Sequence, residues 1–209
     1  MIKKYSAVIF DMDGVLIDAR DWHFEALNDA LRIFGEEISI PEHLSRFDGL
    51  PTKVKLRMLE EDGRIVAGLG GQIEAIKQER TLRAAARLCF PSLEHLIMFA
   101  ELKRAGYKLG VATNSIRSSA SAMLSFAGIL ETLDVLVTNS DVERAKPNPA
   151  MYIKACHSLN LRAEEVLVFE DNQYGIAAAK AAGCDVVAVD NPQQLNLSFV
   201  ETWLKGVLA

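Results

Sequence analysis

From Leu93 onward, short apolar runs alternate with amphipathic segments, and this alternation constrains the fold more than any other feature of the chain. Runs rich in β-branched residues read as strands over residues 108–112, 134–137, 165–169 and 185–189. Between them, apolar residues at helical spacing mark helices over 93–105, 117–127, 149–159 and 176–182, and 192–207 reads as a last helix. Gly106, Gly128 and Gly183 stand just past three of these helices, where a left-handed residue commonly ends the last turn. Strands that alternate with helices pair in parallel through right-handed crossovers, with helices on both faces of the sheet. The expected class is α/β.

One more strand precedes this array. Val8-Ile9-Phe10 is a buried-strand pattern that stops at Asp11-Met12-Asp13-Gly14, so two carboxylates stand where a strand opens into a loop. In an α/β sheet, ligands bind in the crevice beyond the carboxyl ends of the strands, and the pair therefore marks a candidate site. An Asp-rich turn with a glycine for positive φ is the plainer alternative. Residues 20–88 carry no convincing strand. Helical spacing covers 22–34, closed by Gly35, then a segment opened by Pro41, then 53–61 and 73–88. Gly63, Gly68, Gly70 and Gly71 are expected in turns between these helices. The region reads as a small helical module inserted after the first strand.

With 209 residues, half of them apolar, the chain can bury a substantial core. A formal charge of −5 argues against a nucleic-acid partner, since phosphate-backbone binding needs a basic face. Cys89, Cys156 and Cys184 are odd in number and far apart, which suits neither a disulfide framework nor a zinc site, and a reducing cytoplasm is the expected location. The charged start over residues 1–4 precedes an apolar run too short for a signal peptide, and no run reaches the roughly 18 residues of a membrane span. No membrane partner is expected, and the chain is expected to act as a monomer.

Three later strands also end in polar clusters. Thr113-Asn114-Ser115 leads into a helix, whose free N–H groups suit a phosphate, although Ser and Asn are equally natural helix caps. Thr138-Asn139-Ser140-Asp141 is followed by Lys146-Pro147-Asn148-Pro149, where proline restricts the backbone around a lysine that in isolation reads as surface. Glu170-Asp171-Asn172, with Gly175 beyond, puts two more acids near Asp11 and Asp13. Such crowding is unfavourable without a cation, and magnesium, which takes hard oxygen ligands and joins carboxylates to phosphate, is the natural one.

Taken in order, Asp11-Met12-Asp13-Gly14-Val15, Val111-Ala112-Thr113-Asn114-Ser115, Lys146-Pro147-Asn148-Pro149 and Glu170-Asp171 with Gly175 resemble the four motifs of the haloacid dehalogenase-like phosphotransferase superfamily. The resemblance is closest to the branch of β-phosphoglucomutase and phosphoglycolate phosphatase. It implies a Rossmann-like three-layer core with a parallel sheet, formed by residues 1–17 and 89–209, plus an inserted α-helical cap domain over 18–88. By the same resemblance Asp11 is the nucleophile that forms an aspartyl-phosphate and Asp13 the general acid and base. Mg2+ is held by the Asp11 side chain, the Asp13 backbone carbonyl and Asp171, with Glu170 as a further ligand or one step removed. Thr113 and the Asn114 backbone N–H bind the phosphoryl oxygens, and Lys146 neutralises their charge. His23 and Lys77 match substrate-facing cap residues, and Thr52 or Lys53 falls in the cap's substrate loop. His23 alone would read as helix surface.

The resemblance implies a Mg-dependent phosphatase of a small phosphorylated metabolite, a sugar phosphate in the leading reading. A β-phosphoglucomutase-like sugar phosphomutase and a non-catalytic binding protein that keeps the fold are the alternatives. Ile17 and Ala19 stand where the family often has Thr or Ser, which disfavours the mutase.

Overall fold

In a computed structural model of the protein, residues 4–205 are described; residues 1–3 of the charged start and 206–207 of the expected last helix lie outside them. The chain divides into two compact units, Met1–Asp18 with Phe90–Ala209, and Ala19–Cys89. Strand β1 (Ala7–Phe10) leads into the second unit, which holds helices α1 (Arg20–Arg32), α2 (Ile40–Glu42), α3 (Thr52–Glu61) and α4 (Gly70–Leu88). The first unit resumes with α5 (Leu93–Arg104), β2 (Lys108–Thr113), α6 (Arg117–Phe126), β3 (Val135–Thr138), α7 (Ala150–Leu159), β4 (Val166–Glu170), α8 (Gln173–Ala182), β5 (Asp185–Ala188) and α9 (Leu197–Leu204).

The five strands form one sheet in the order β3-β2-β1-β4-β5, and every pairing is parallel. The core is thus the expected Rossmann-like α/β arrangement. Strand β1 lies at the centre, with Phe10 opposite Val111 on one side and Phe169 on the other. The chain steps outward from β1 through β2 to β3, then crosses to the other side for β4 and β5. The crevice where that order reverses lies beyond the carboxyl ends of β1 and β4, which is where the acids emerge.

Strands β1 and β4 are buried along their whole length, as a central parallel strand must be when helices cover both faces. Ala7, Ile9, Val166 and Val168 share a cluster with Tyr152 and Ala155 of α7 and Ala178 and Ala179 of α8. Phe10 stacks with Phe99 of α5 at 5.2 Å and with Phe169 at 5.6 Å between ring centroids. Burying each such side chain contributes about 1.5–3 kcal/mol, which holds the strand that carries Asp11 in place.

Two expectations are corrected. The single last helix over 192–207 is a 3-10 turn at Pro192–Gln194 followed by α9, because Asn196 is extended and its side chain caps the new helix at the Phe199 N–H, 3.0 Å away. Gly70 and Gly71 belong to the first turn of α4 rather than to a loop; the turn falls at Gly68, whose φ of +90° suits glycine and whose N–H donates to Glu60 Oε1 at 3.0 Å.

The helical unit has its own core of Leu27, Leu31, Ile38, Phe47, Leu59 and Ile73, among others. Asn28 is buried there and both accepts from Ile38 N and donates to Ile38 O at 2.9 Å, so a polar side chain ties the chain after α1 back onto the helix. Among the described residues no helix is long and apolar enough to cross a membrane.

His43 is 6% exposed, sits edge-on to Phe24 at 5.0 Å, and has no hydrogen-bond partner for Nδ1. Burial, then the charge of Lys55, push its pKa down to about 4, with Asp48 opposing. Between pH 6.5 and 4 the unfolded chain therefore binds a proton that the folded chain refuses, and stability falls as pH drops through that window. At pH 4 the loss is on the order of 1–3 kcal/mol. In urea unfolding, His43→Phe, which keeps an aromatic ring but no titratable nitrogen, is expected to lose less stability than wild type over this range; parallel losses would refute the assignment.

Candidate active site

Asp11 follows β1 directly, and its backbone N–H donates to Phe169 O at 2.9 Å, which continues the sheet register into the loop. The residue is buried, and its carboxylate accepts from Lys146 Nζ at 2.6 Å. Lys146 arrives from the loop before α7 and spends its three N–H donors on Asp11, on the Ala112 carbonyl at 2.7 Å and on Glu170 Oε1. The Asn114 side chain fixes that loop by accepting the Lys146 backbone N–H at 3.1 Å. Burial works against the Lys146 ammonium, but Asp11 and Glu170 outweigh it and hold the pKa above its ordinary value. The lysine is charged and placed.

Burial pushes the Asp11 carboxyl well above the usual carboxylate range; Lys146 pulls it back, while Glu170, Asp171 and Asp13 raise it further. One ammonium faces several carboxyl groups here, so ionising Asp11 is costly. Asp11, Glu170 and Asp171 each offer a carboxylate oxygen, and these lie within 4.8 Å of one another. An all-oxygen, anionic donor set of this kind fits a hard divalent cation.

Two glycines shape the acid pair. A Cβ on Gly14, which has a φ of +88°, would fall 2.1 Å from Asp171 Oδ2, and one on Gly175 would fall 1.9 Å from Glu170 Oε1. Both carboxylates occupy volume that any other residue would fill. Thr113 ends β2, 1% exposed, and its Oγ1 accepts the Ser115 N–H at 3.0 Å, while Ser115 Oγ donates to Asp13 Oδ2 at 2.9 Å. The loop after β2 is therefore tied to the second aspartate as well as to the lysine loop.

The first unit brings together Asp11, Asp13, Thr113, Asn114, Lys146, Glu170 and Asp171. The cluster after β3 serves a local purpose instead: Asp141 accepts from the Thr138 N–H at 2.8 Å and hydroxyl at 2.6 Å and pairs with Arg117. Partial burial opposes ionisation, yet these bonds hold the Asp141 carboxyl down at about 2.

The remaining expected residues lie in the helical unit. His23 on α1 and Lys77 on α4 meet, with 3.0 Å between Nδ1 and Nζ, and Lys77 is 6% exposed. Thr52 opens α3, half-buried. Lys55 follows one turn later on the same face. Burial, then the charge of Lys77, push its pKa down to about 8. The unit thus concentrates cationic groups with little solvent.

Sequence reasoning did not single out Lys55 or Tyr152. The Tyr152 hydroxyl donates to Glu170 Oε1 at 2.6 Å, and burial, then the charges of Glu170 and Asp11, push the phenol well above its ordinary pKa, so it remains a donor. A tyrosine on an apolar helix face reads as core, and only the strand packed beneath it discloses the bond.

The haloacid dehalogenase-like hydrolase family matches residues 8–189. The chain belongs to that family. A phosphorylated carbohydrates phosphatase from Thermotoga maritima is 33% identical over 181 residues, 86% of this chain and 82% of that protein. A fructose-1-phosphate phosphatase from Escherichia coli is 28% identical over 192 residues, 90% of this chain and 98% of that protein. Among solved structures, a β-phosphoglucomutase from Clostridium difficile superposes with a TM-score of 0.82 over 96% of this chain and 97% of its own, at 20% identity, and shares the fold. The family match contains the whole set of core residues from Asp11 to Asp171 described above.

Proposed function

We propose that this haloacid dehalogenase-like hydrolase is a magnesium-dependent phosphatase of a small phosphate monoester, a sugar phosphate, acting through an aspartyl-phosphate. The observation that carries the reading is the Asp11 carboxylate, buried and held by Lys146, with carboxylates of Glu170 and Asp171 close enough to share one cation. The named activities of the Thermotoga maritima and Escherichia coli relatives support the substrate class.

A phosphate ester resists attack because its oxygens are anionic, so catalysis needs alignment and positive charge. Asp11 attacks phosphorus; the P–O bond to the sugar breaks as the phosphoryl passes to its carboxylate, and Asp13 gives the departing alkoxide a proton. Water then attacks the acyl phosphate, Asp13 takes its proton, the bond to Asp11 breaks and inorganic phosphate leaves. The Ser115 hydroxyl holds the Asp13 side chain in one orientation for both transfers. Thr113 and the Asn114 backbone N–H bind the phosphoryl oxygens, and the Lys146 ammonium offsets their charge. Mg2+ bound by Asp11, Asp171 and the Asp13 carbonyl, with Glu170 beside them, would lower the repulsion between nucleophile and phosphate. Substrate selection is assigned to the Ala19–Cys89 unit, the cap, through His23, Lys77 and Thr52, joined by Lys55.

A phosphate-release assay over a panel of sugar phosphates tests this. Chelation of divalent ions is expected to lower turnover by about 10³-fold or more, and added Mg2+ to restore it. Full activity in chelator would overturn the metal role. Turnover that requires a sugar bisphosphate and liberates no phosphate would replace the phosphatase with a mutase.

A further inference from the structure

Glu170 is held from within the four motifs by Lys146 and from outside them by Tyr152. Its Oε1 accepts two bonds, from Lys146 Nζ and from the Tyr152 hydroxyl, and its carboxylate fills the space left by the missing Cβ of Gly175. Tyr152 touches both members of the pair, because the Lys146 ammonium also lies 5.1 Å from the centroid of its ring. The tyrosine is fully buried on α7, in the cluster that packs α7 against the sheet, so its hydroxyl is held where it is.

We infer that Tyr152 is a positioning residue: its hydroxyl locks Glu170 onto Lys146, which keeps that carboxylate off the cation and leaves the ammonium shared with Asp11. The inference rests on the phosphatase reading for its catalytic consequence only. Glu170 has an oxygen within reach of those of Asp11 and Asp171, so the same side chain could serve the ion or the lysine. The second donor decides between them. A carboxylate that accepts from both an ammonium and a buried phenol has part of its charge neutralised and its rotamer fixed. Without the phenol, the charge of Glu170 is less offset and its side chain keeps only the ammonium on Oε1 and the long bond, 3.4 Å, from the Asn172 N–H to Oε2, so it turns towards the cation and draws Lys146 with it, away from the phosphoryl group.

Tyr152→Phe deletes the donor and keeps the ring, with its packing and its contact to the ammonium. The expected result is a kcat lowered about 10-fold with KM within twofold, and Mg2+ bound about 5-fold more tightly in a direct calorimetric titration. In a Glu170→Gln background the substitution is expected to change neither quantity by more than twofold. A Tyr152→Phe protein with wild-type kcat and wild-type Mg2+ affinity would overturn the inference. So would equal losses with and without Glu170, since the tyrosine would then act through some other group. The Mg2+ titration needs no substrate, so a failed phosphatase reading would show as absent turnover while the affinity shift still reports on Tyr152.

Discussion

Asp11→Asn is expected to abolish phosphate release, with kcat down by at least about 10⁴-fold, because an amide oxygen neither attacks phosphorus nor leaves as a carboxylate. The loss will not be one of folding. Burial and the neighbouring acids already disfavour the Asp11 carboxylate, so a neutral residue of the same shape relieves repulsion even as it gives up the Lys146 pair. Melting in chelator is therefore expected at the wild-type temperature or above it, while the gain on adding Mg2+ shrinks, since the proposed cation ligand has lost its charge. Residual turnover within tenfold of wild type would remove Asp11 from the chemistry, and with it the covalent intermediate.

Lys146→Met is expected to damage both activity and stability. Removing the ammonium leaves Asp11 and Glu170 buried without a cationic partner, a change that costs about 3–5 kcal/mol when one member of a buried ion pair is lost. In chelator this corresponds to a melting temperature lower by roughly 10 °C. The sign of its pH dependence follows from the acids left behind. Burial already raises the Asp11 carboxyl, and a carboxyl whose folded pKa is raised loses stability as pH rises through that value, so the variant is expected to approach wild type in acid and to fall further behind as pH rises. Turnover is expected to drop about 10³-fold, because the ammonium that offsets the phosphoryl oxygens in the proposed mechanism is gone. Thermal melts from pH 5 to 8 decide the point: a deficit that is small and flat with pH would mean that Lys146 is not the counter-charge of this site.

Most of the core was legible in the residues. Alternating apolar and amphipathic runs placed the five strands to within a residue or two, since central parallel strands must be continuously apolar and the helices that cover them must be amphipathic. The strand ends at Asp11, Thr113 and Glu170 were legible for a related reason: buried apolar runs give way to acids and hydroxyls where the chain leaves the sheet. The helix boundary at Asn196 and the first turn of α4 were not, because a cap or a glycine near a helix end means different things according to what packs beside it. In the helical unit, the meeting of His23 with Lys77 across α1 and α4 follows from packing, and the shifted Lys55 follows from how much solvent that packing removes.

By itself, then, the sequence determined the layer architecture and which residue types stand at the strand ends, because periodicity and local chain chemistry are properties of neighbours along the chain. The tertiary structure alone decided how those groups divide the work: that Lys146 reaches back to Ala112, Asp11 and Glu170, that Tyr152 holds Glu170 from another helix, and that Gly14 and Gly175 make room for two carboxylates. Those contacts join residues far apart in sequence within a space that excludes water, and nothing in a local pattern records which buried charge will find which partner.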